Sequence, residues 1–389
     1  MTHTPLHTTT RLHARSERID DPGDLLDHLG ADGFAWLTGD TGFVTAGVAS
    51  VSGVADAVRL LDSVDHVTDD AVPAAAGPRA VGALPFTGAR HGRLVVPARI
   101  VGRDAHGAAW CTTIGDGHAP LHAARARASQ FSVRSLLDPG AWAHRVEQAL
   151  ASIARGPLEK VVLSREVGVE ADVPFDVASV LRVLRATQPG CTVYADGGFV
   201  GASPELLVRR RGARVESRPM AGTGRDPSAL RASVKDSHEH RLVVDAVVRA
   251  LGTLCDDVHA GDPRPERFAT IVHLVTDVRA SLADPSVSAL DLALALHPTP
   301  AVSGWPIAPA LDAIARLEHD DRGRYAGPCG WVGPDGDGEF VVALRCAEID
   351  GASARLHAGA GIVTGSDPGA EWAETQAKLE PMLRALVRP

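Results

Sequence analysis

Lysine is nearly missing from this chain: Lys160, Lys235 and Lys378 are the only three among 39 basic side chains. Arginine keeps its proton under all ordinary conditions, whereas burial can drive a lysine towards neutrality and make it a base. The three lysines therefore point to places where a guanidinium would not serve, with an arginine-rich compositional bias as the plainer account. Cysteine is scarce too. Cys111, Cys191, Cys255, Cys329 and Cys346 are odd in number and scattered without a CxxC pair, which excludes a disulfide framework or a zinc site and fits a reducing cytosol. No apolar run approaches the length of a membrane span, and Met1-Thr2-His3-Thr4-Pro5 lacks the basic and apolar regions of a signal peptide. Positive charge is in deficit, with a formal net charge of −9, so the clustered basic surface of a nucleic-acid binder is not expected. Arg209-Arg210-Arg211 reads as a solvated hairpin. What is present is apolar substance: 45% of 389 residues are hydrophobic, enough for a sizeable core. These features describe a soluble, cytoplasmic globular protein with neither a membrane nor a nucleic-acid partner.

Residues 1–137 carry no nameable motif. They suggest strands at Arg93-Leu94-Val95-Val96 and Ala98-Arg99-Ile100-Val101, a helix from Ser52 to Leu61 and a loop from Ala71 to Pro78. From Asp138 the signals sharpen. Asp138-Pro139 opens a helix with Trp142, Val146, Leu150 and Ile153 on one face. Lys160 to Val169, Cys191 to Tyr194 and Gly198 to Gly201 read as strands, and Leu206 to Arg210 and Ala213 to Arg218 as a hairpin. A long helix is expected from about Pro227 to Cys255, then a strand at Thr270 to Leu274 and helices near Ala289 to Leu296 and Asp312 to Leu317. Strands at Cys329 to Val332, Phe340 to Ala347 and Ala354 to Ile362 follow, with Asp335-Gly336 as a hairpin turn and a last helix at Pro368 to Leu386. Hairpin connections and few, long helices favour an α+β fold with antiparallel sheets over a doubly wound one.

Two helices present carboxylates. Glu239 precedes Leu242, Val243, Ala246 and Ala250 at helical spacing, which points it inward. A buried carboxylate needs a cation, a metal or a donor. Glu371, Glu374 and Lys378 share one face of the last helix. An exposed Glu374–Lys378 ion pair is the plainer account of that face, whereas two carboxylates from separate helices beside an anionic substrate suit Mg²⁺. His238-Glu239-His240 does not have zinc spacing. The Gly359-Ala360-Gly361-Ile362-Val363-Thr364-Gly365 run leaves too little chain after it for a nucleotide-binding βαβ unit, which weakens an NAD-dependent oxidoreductase reading. Close backbone approach to a carboxylate explains the glycines better, with a β-bulge as the structural alternative.

Nine ordered blocks carry a resemblance. They are Lys160 to Arg165, Gly201 to Leu207, Met220-Ala221-Gly222-Thr223, Lys235 to His240, His273-Leu274, Leu296 to Gly304, Phe340 to Ala347, Ala358 to Val363 and Glu371 to Lys378. The series, over about residues 140–389, resembles the chorismate-utilising enzymes and among them the isochorismate synthases. The resemblance implies a single large α+β domain built on an antiparallel β-sandwich, with 1–137 its less distinctive N-terminal part and 138–389 its catalytic region. It implies Lys160 as the base that activates water for attack at C2 of chorismate, and Glu205 as the acid that protonates the departing C4 hydroxyl. Glu239 and Glu374 would ligate Mg²⁺, with Glu371 close by or acting through water. Arg345 and Tyr325, with backbone N–H groups near Gly359 and Gly361, would bind the pyruvyl carboxylate, and Gly222, Thr223, His273 and Lys378 would complete the pocket. Burial moves a lysine base and a glutamic acid in the directions their tasks need.

Within that family a lysine at position 160 favours water over ammonia, and hence a monomer without an amidotransferase subunit. The small Ala301 after His297-Pro298-Thr299-Pro300 resembles isochorismate synthase, an isomerase. Salicylate synthase, which goes on to eliminate pyruvate, is the alternative, and Tyr325 pulls mildly towards it. Neither a siderophore nor a menaquinone pathway is indicated over the other.

Overall fold

Runs of branched and aromatic residues, cut by Gly, Asp and Pro turns, make strands the dominant element, since pleated backbone offers alternate side chains to two faces. The computed structural model describes residues 11–117, 119–121, 127–269, 271–318 and 321–388. Met1 to Pro5 and Thr270, which figure in the readings above, lie outside them.

Two antiparallel layers result. The first passes, neighbour to neighbour, from Thr41–Gly53 through Phe34–Thr38, Thr192–Asp196, Phe199–Ser203, Cys346–Asp350 and Ser353–Val363 to Lys160–Ala171. The second passes from Ala80–Ala83 through Pro328–Val332, Gly338–Val342, Leu206–Arg211, Arg214–Ser217 and Val278–Leu282 to Cys255–Ala260. Residues before 138 thus supply strands to both layers. Between the layers lie Phe34, Phe43, Leu207, Trp331 and Phe340, and Phe43 meets Trp331 edge-on with centroids 6.0 Å apart. Helices Val177–Thr187 and Pro368–Val387 cover the other face of the first layer, burying Leu181, Leu184, Leu379 and Met382 against Val167, Val193 and Leu356. Both start at an aspartate, Asp176 and Asp367, whose carboxylate accepts a backbone N–H of the first turn. A separate three-stranded sheet joins Met220–Gly224, Ile271–Val275 and Arg264–Phe268. The antiparallel α+β architecture is the one expected from sequence. Among the described residues no helix is long and apolar enough to cross a membrane.

Four local expectations are corrected. Ser52 and Gly53 pair with Leu94 and Arg93, so strand continues where helix was expected and the helix is only Ala57–Asp62. The two strands flanking Pro97 are one, Arg93–Arg103, because an irregularity between Val48 and Ser50 in the partner accommodates the proline. The long helix is two, Pro227–Ala232 and Val234–Leu251. Ser233 leaves helical geometry to cap the second with its side chain, and Cys255 already begins a strand. Finally, Phe340 to Ala347 is broken: Arg345 adopts φ 51° and carries the chain from the second layer to the first. That last break helps to make the site.

Candidate active site

Strand Ser353–Val363 forms the floor of a cleft. Its period of two buries Ala358, Ala360 and Ile362 and turns His357, Gly359 and Gly361 towards the cavity. Added side chains would not fit there. A Cβ on Gly361 would lie 2.6 Å from Glu239 Oε1 and 3.1 Å from Lys160 Cε, and one on Gly359 would lie 2.9 Å from Tyr325 Oη. The glycine run therefore lets functional side chains approach the backbone.

The cleft encloses about 680 Å³, open solvent included. Glu205, following strand Phe199–Ser203, borders it together with Gly222 and Thr223 of the small sheet. His273, Ala301, Tyr325 and Arg345 line a second stretch of wall, and Glu239, Glu374 and Lys378 project from two helices. Of the residues singled out in the sequence, Lys160 and Glu371 do not border the cavity. Both are buried immediately behind it.

The three lysines converge on the three carboxylates proposed for a metal. Lys160 Nζ lies 2.9 Å from Glu239 Oε1, Lys235 Nζ 3.0 Å from Glu371 Oε1, and Lys378 Nζ 2.7 Å from Glu374 Oε1. Lys378 also donates to the Gly359 carbonyl at 2.9 Å. The plain exposed pair considered for Glu374 and Lys378 is thus a partly buried one at the cleft wall. Burial pushes the Glu239 carboxyl up, but the Lys160 ammonium, then Lys378 and Lys235, more than offset this and hold it below its ordinary range. Glu205 goes the other way. It is fully enclosed, and burial pushes it up to about 8 against the opposing pull of Lys160, a Met220 backbone hydrogen bond and Lys378. At neutral pH Glu205 is thus protonated and Glu239 ionised, with Lys160 acting on both.

No three acidic, histidine or cysteine side chains already converge on one point among the described residues. Even so, Asp236 and Glu371 are raised first by burial and then partly by the charge of Glu374, with Glu239 acting on Asp236 as well. Crowded carboxylate oxygens, two of them facing the cleft, are the donor chemistry that a hard divalent cation takes. The residues fit Mg²⁺, with Glu239 and Glu374 as the donors within reach of the cavity and Glu371 behind them.

The opposite wall is directional. His273 Nδ1 lies 3.1 Å from the Gly222 carbonyl, so that nitrogen carries the proton, and Nε2 accepts from Arg345 at 3.0 Å. Burial, and then the charges of Arg345 and Lys378, keep His273 well below its usual range. Arg345 is thereby aimed, and its positive φ is the kind of local strain that surrounding structure must hold in place.

Two features escaped the sequence reading. Arg322 is buried and donates to Glu318 Oε2 at 2.7 Å, to the Val302 carbonyl at 2.7 Å and to the Val162 carbonyl at 2.8 Å. Glu318 in turn accepts the Ser164 N–H at 2.7 Å. This pair clamps the Ala301 loop to the Lys160 strand, and its four-residue spacing on a helix end was the available signal. The other feature is His357, two residues ahead of Gly359 on the same strand face.

The family model described as chorismate binding enzyme matches residues 108–387. Isochorismate synthase DhbC of Bacillus subtilis is 39% identical over 331 residues, covering 79% of this chain and 81% of the relative. Isochorismate synthase EntC of Escherichia coli is 41% identical over 254 residues, covering 61% and 65%. Among solved structures, MenF, the menaquinone-specific isochorismate synthase of Escherichia coli, superposes with a TM-score of 0.83 at 26% identity, over 97% of this chain and 95% of that one.

Proposed function

The chain belongs to the chorismate-binding enzymes, and from that premise we propose that it interconverts chorismate and isochorismate. The observation that carries the reading is the opposed state of two carboxyls around Lys160: Glu205 is pushed up to about 8 while Glu239 is held low, 2.9 Å from the lysine amine. Water adds at C2 as Lys160 takes its proton. The ring double bonds shift and the C4–O bond breaks, and Glu205 gives its proton to the departing oxygen, which leaves as water. Glu239, 2.9 Å from Lys160 Nζ, stabilises the ammonium form of that base. General acid and general base each contribute roughly 10²–10⁴-fold.

Arg345, aimed by His273, and Tyr325, laid over Gly359, hold the pyruvyl carboxylate, and Gly222, Thr223 and Lys378 close the pocket. Mg²⁺ held by Glu239 and Glu374, with Glu371 in support, would offset the ring carboxylate's charge and orient it. Because water is the nucleophile, no amidotransferase subunit is needed, and the enzyme acts as a monomer.

The test is incubation with chorismate and Mg²⁺, with products separated by chromatography and pyruvate measured by a coupled dehydrogenase. Isochorismate without pyruvate is expected, and loss of turnover on chelation that added Mg²⁺ restores. Stoichiometric pyruvate would replace this reading with salicylate synthesis. Turnover that survives chelation would remove the metal from it.

A further inference from the structure

His357 has none of the roles given above, yet it borders the cleft. It stands opposite Glu166 of the Lys160 strand and on the same face as Gly359. Its ring lies flat on Tyr325, with centroids 5.1 Å apart and planes 11° from parallel. At the other end of the phenol, Oη fills the space that a Cβ on Gly359 would need, 2.9 Å away. Tyr325 is thus laid along the strand, its ring on a histidine and its hydroxyl over a glycine.

Hydrogen bonds do not explain how this imidazole is held. Its Nδ1 is buried without a hydrogen-bond partner among the described residues, and Glu166 Oε1 lies 3.7 Å away, beyond bonding distance. Behind it is a smaller polar pocket of about 350 Å³ bordered also by Ser164, Glu166, Glu318 and Arg322, so His357 is the partition between that pocket and the cleft. Burial first, then the charges of Arg322 and Arg355, push it down to about 4. A neutral ring whose Nδ1 has no hydrogen bond to steer it among the described residues presents its face to the phenol, the offset geometry that aromatic pairs favour.

We infer that His357 is a positioning residue that fixes the Tyr325 phenol against strand Ser353–Val363 and so sets the affinity of the cleft for chorismate. The inference rests on the placement of chorismate proposed above. It concerns binding and not bond making, so its signature is a rise in KM with kcat largely retained.

Tyr194 and Tyr325 are the only tyrosines, so labelling with 3-fluorotyrosine yields two fluorine resonances, assigned by Tyr325→Phe. In His357→Leu, which keeps bulk but not the flat ring, the Tyr325 resonance shifts or broadens and that of Tyr194 stays. KM for chorismate rises about three- to tenfold, the worth of a stacked pair. His357→Phe recovers most of both effects. An unmoved Tyr325 resonance in His357→Leu, equal KM for the Leu and Phe variants, or a fall in kcat instead of a rise in KM overturns the inference. Should the wild type leave chorismate unchanged, the functional reading fails, while the fluorine spectrum alone still decides whether His357 holds Tyr325.

Discussion

Glu205→Gln separates catalysis from stability at one position. The amide matches the carboxyl in shape and can still accept a hydrogen bond from Met220, but it has no proton to give the departing C4 oxygen. Turnover should fall by about 10²–10⁴-fold, the usual worth of a general acid. In the wild type kcat/KM should decline as pH rises through about 8, where Glu205 loses its proton. Stability follows from the same shift. The folded state holds this proton more tightly than the unfolded chain, in which the group returns to its ordinary 4.5. Its contribution is therefore complete below pH 4.5 and drains away as pH climbs to 8, a loss of at most about 5 kcal/mol. The glutamine variant lacks this loss. It should melt with the wild type at pH 5 and several degrees above it at pH 9. Calorimetry at the two pH values, with turnover measured alongside, checks both halves. Near-wild-type turnover, or a melting difference that is the same at pH 5 and pH 9, would refute the reasoning.

Lys160→Met should abolish isochorismate formation while chorismate still binds, read by chromatography and titration calorimetry. It should also melt lower, because removing one partner of a buried pair costs about 3–5 kcal/mol. Gly361→Ala introduces a methyl group 2.6 Å from Glu239 Oε1 and 3.1 Å from Lys160 Cε. Turnover should drop about a hundredfold, the cost of a misplacement near 1 Å, with an unchanged circular dichroism spectrum. Arg322→Met strands the Glu318 carboxylate and frees the Ala301 loop. A fall of about 3–5 kcal/mol in unfolding free energy is expected by denaturant titration, and an unaltered midpoint would deny the clamp its role.

Local chemistry explains what could be read from the sequence. Asp138 and Asp367 cap helices that begin where the sequence places them, the helix Val177–Thr187 capped by Asp176 was not anticipated, and the Asp335-Gly336 turn joins the expected strands. Ser233 three residues before Asp236 was a legible cap, overlooked because the surrounding pattern is helical throughout. The first 137 residues stayed opaque for a different reason. Phe34–Thr38 and Ala80–Ala83 find partners at 192–196 and 328–332, pairings that no local pattern announces. In the site, the residues singled out in the sequence border the cleft except Lys160 and Glu371, which lie behind it, and Glu239 does face a lysine. The buried stripe of its helix is His240, Val243, Val247 and Leu251, however, so Glu239 sits at the edge of that stripe, on the cleft side. Arg345 was found by its block, but its left-handed backbone was not, since nothing in a non-glycine residue advertises positive φ. His357 was within reach: counting back by twos from Gly361 arrives at it.

The pairing of all three lysines with three neighbouring glutamates has a practical side. Apart from the α-amino group, every primary amine of the molecule is ion-paired to a carboxylate of the proposed metal set, Lys160 enclosed, Lys378 largely so and Lys235 partly exposed. An acylating or reductive-methylating reagent would count active sites without protection or purification of a labelled peptide. The order in which the amines react, Lys235 ahead of the enclosed Lys160, would follow ligand occupancy as it happens.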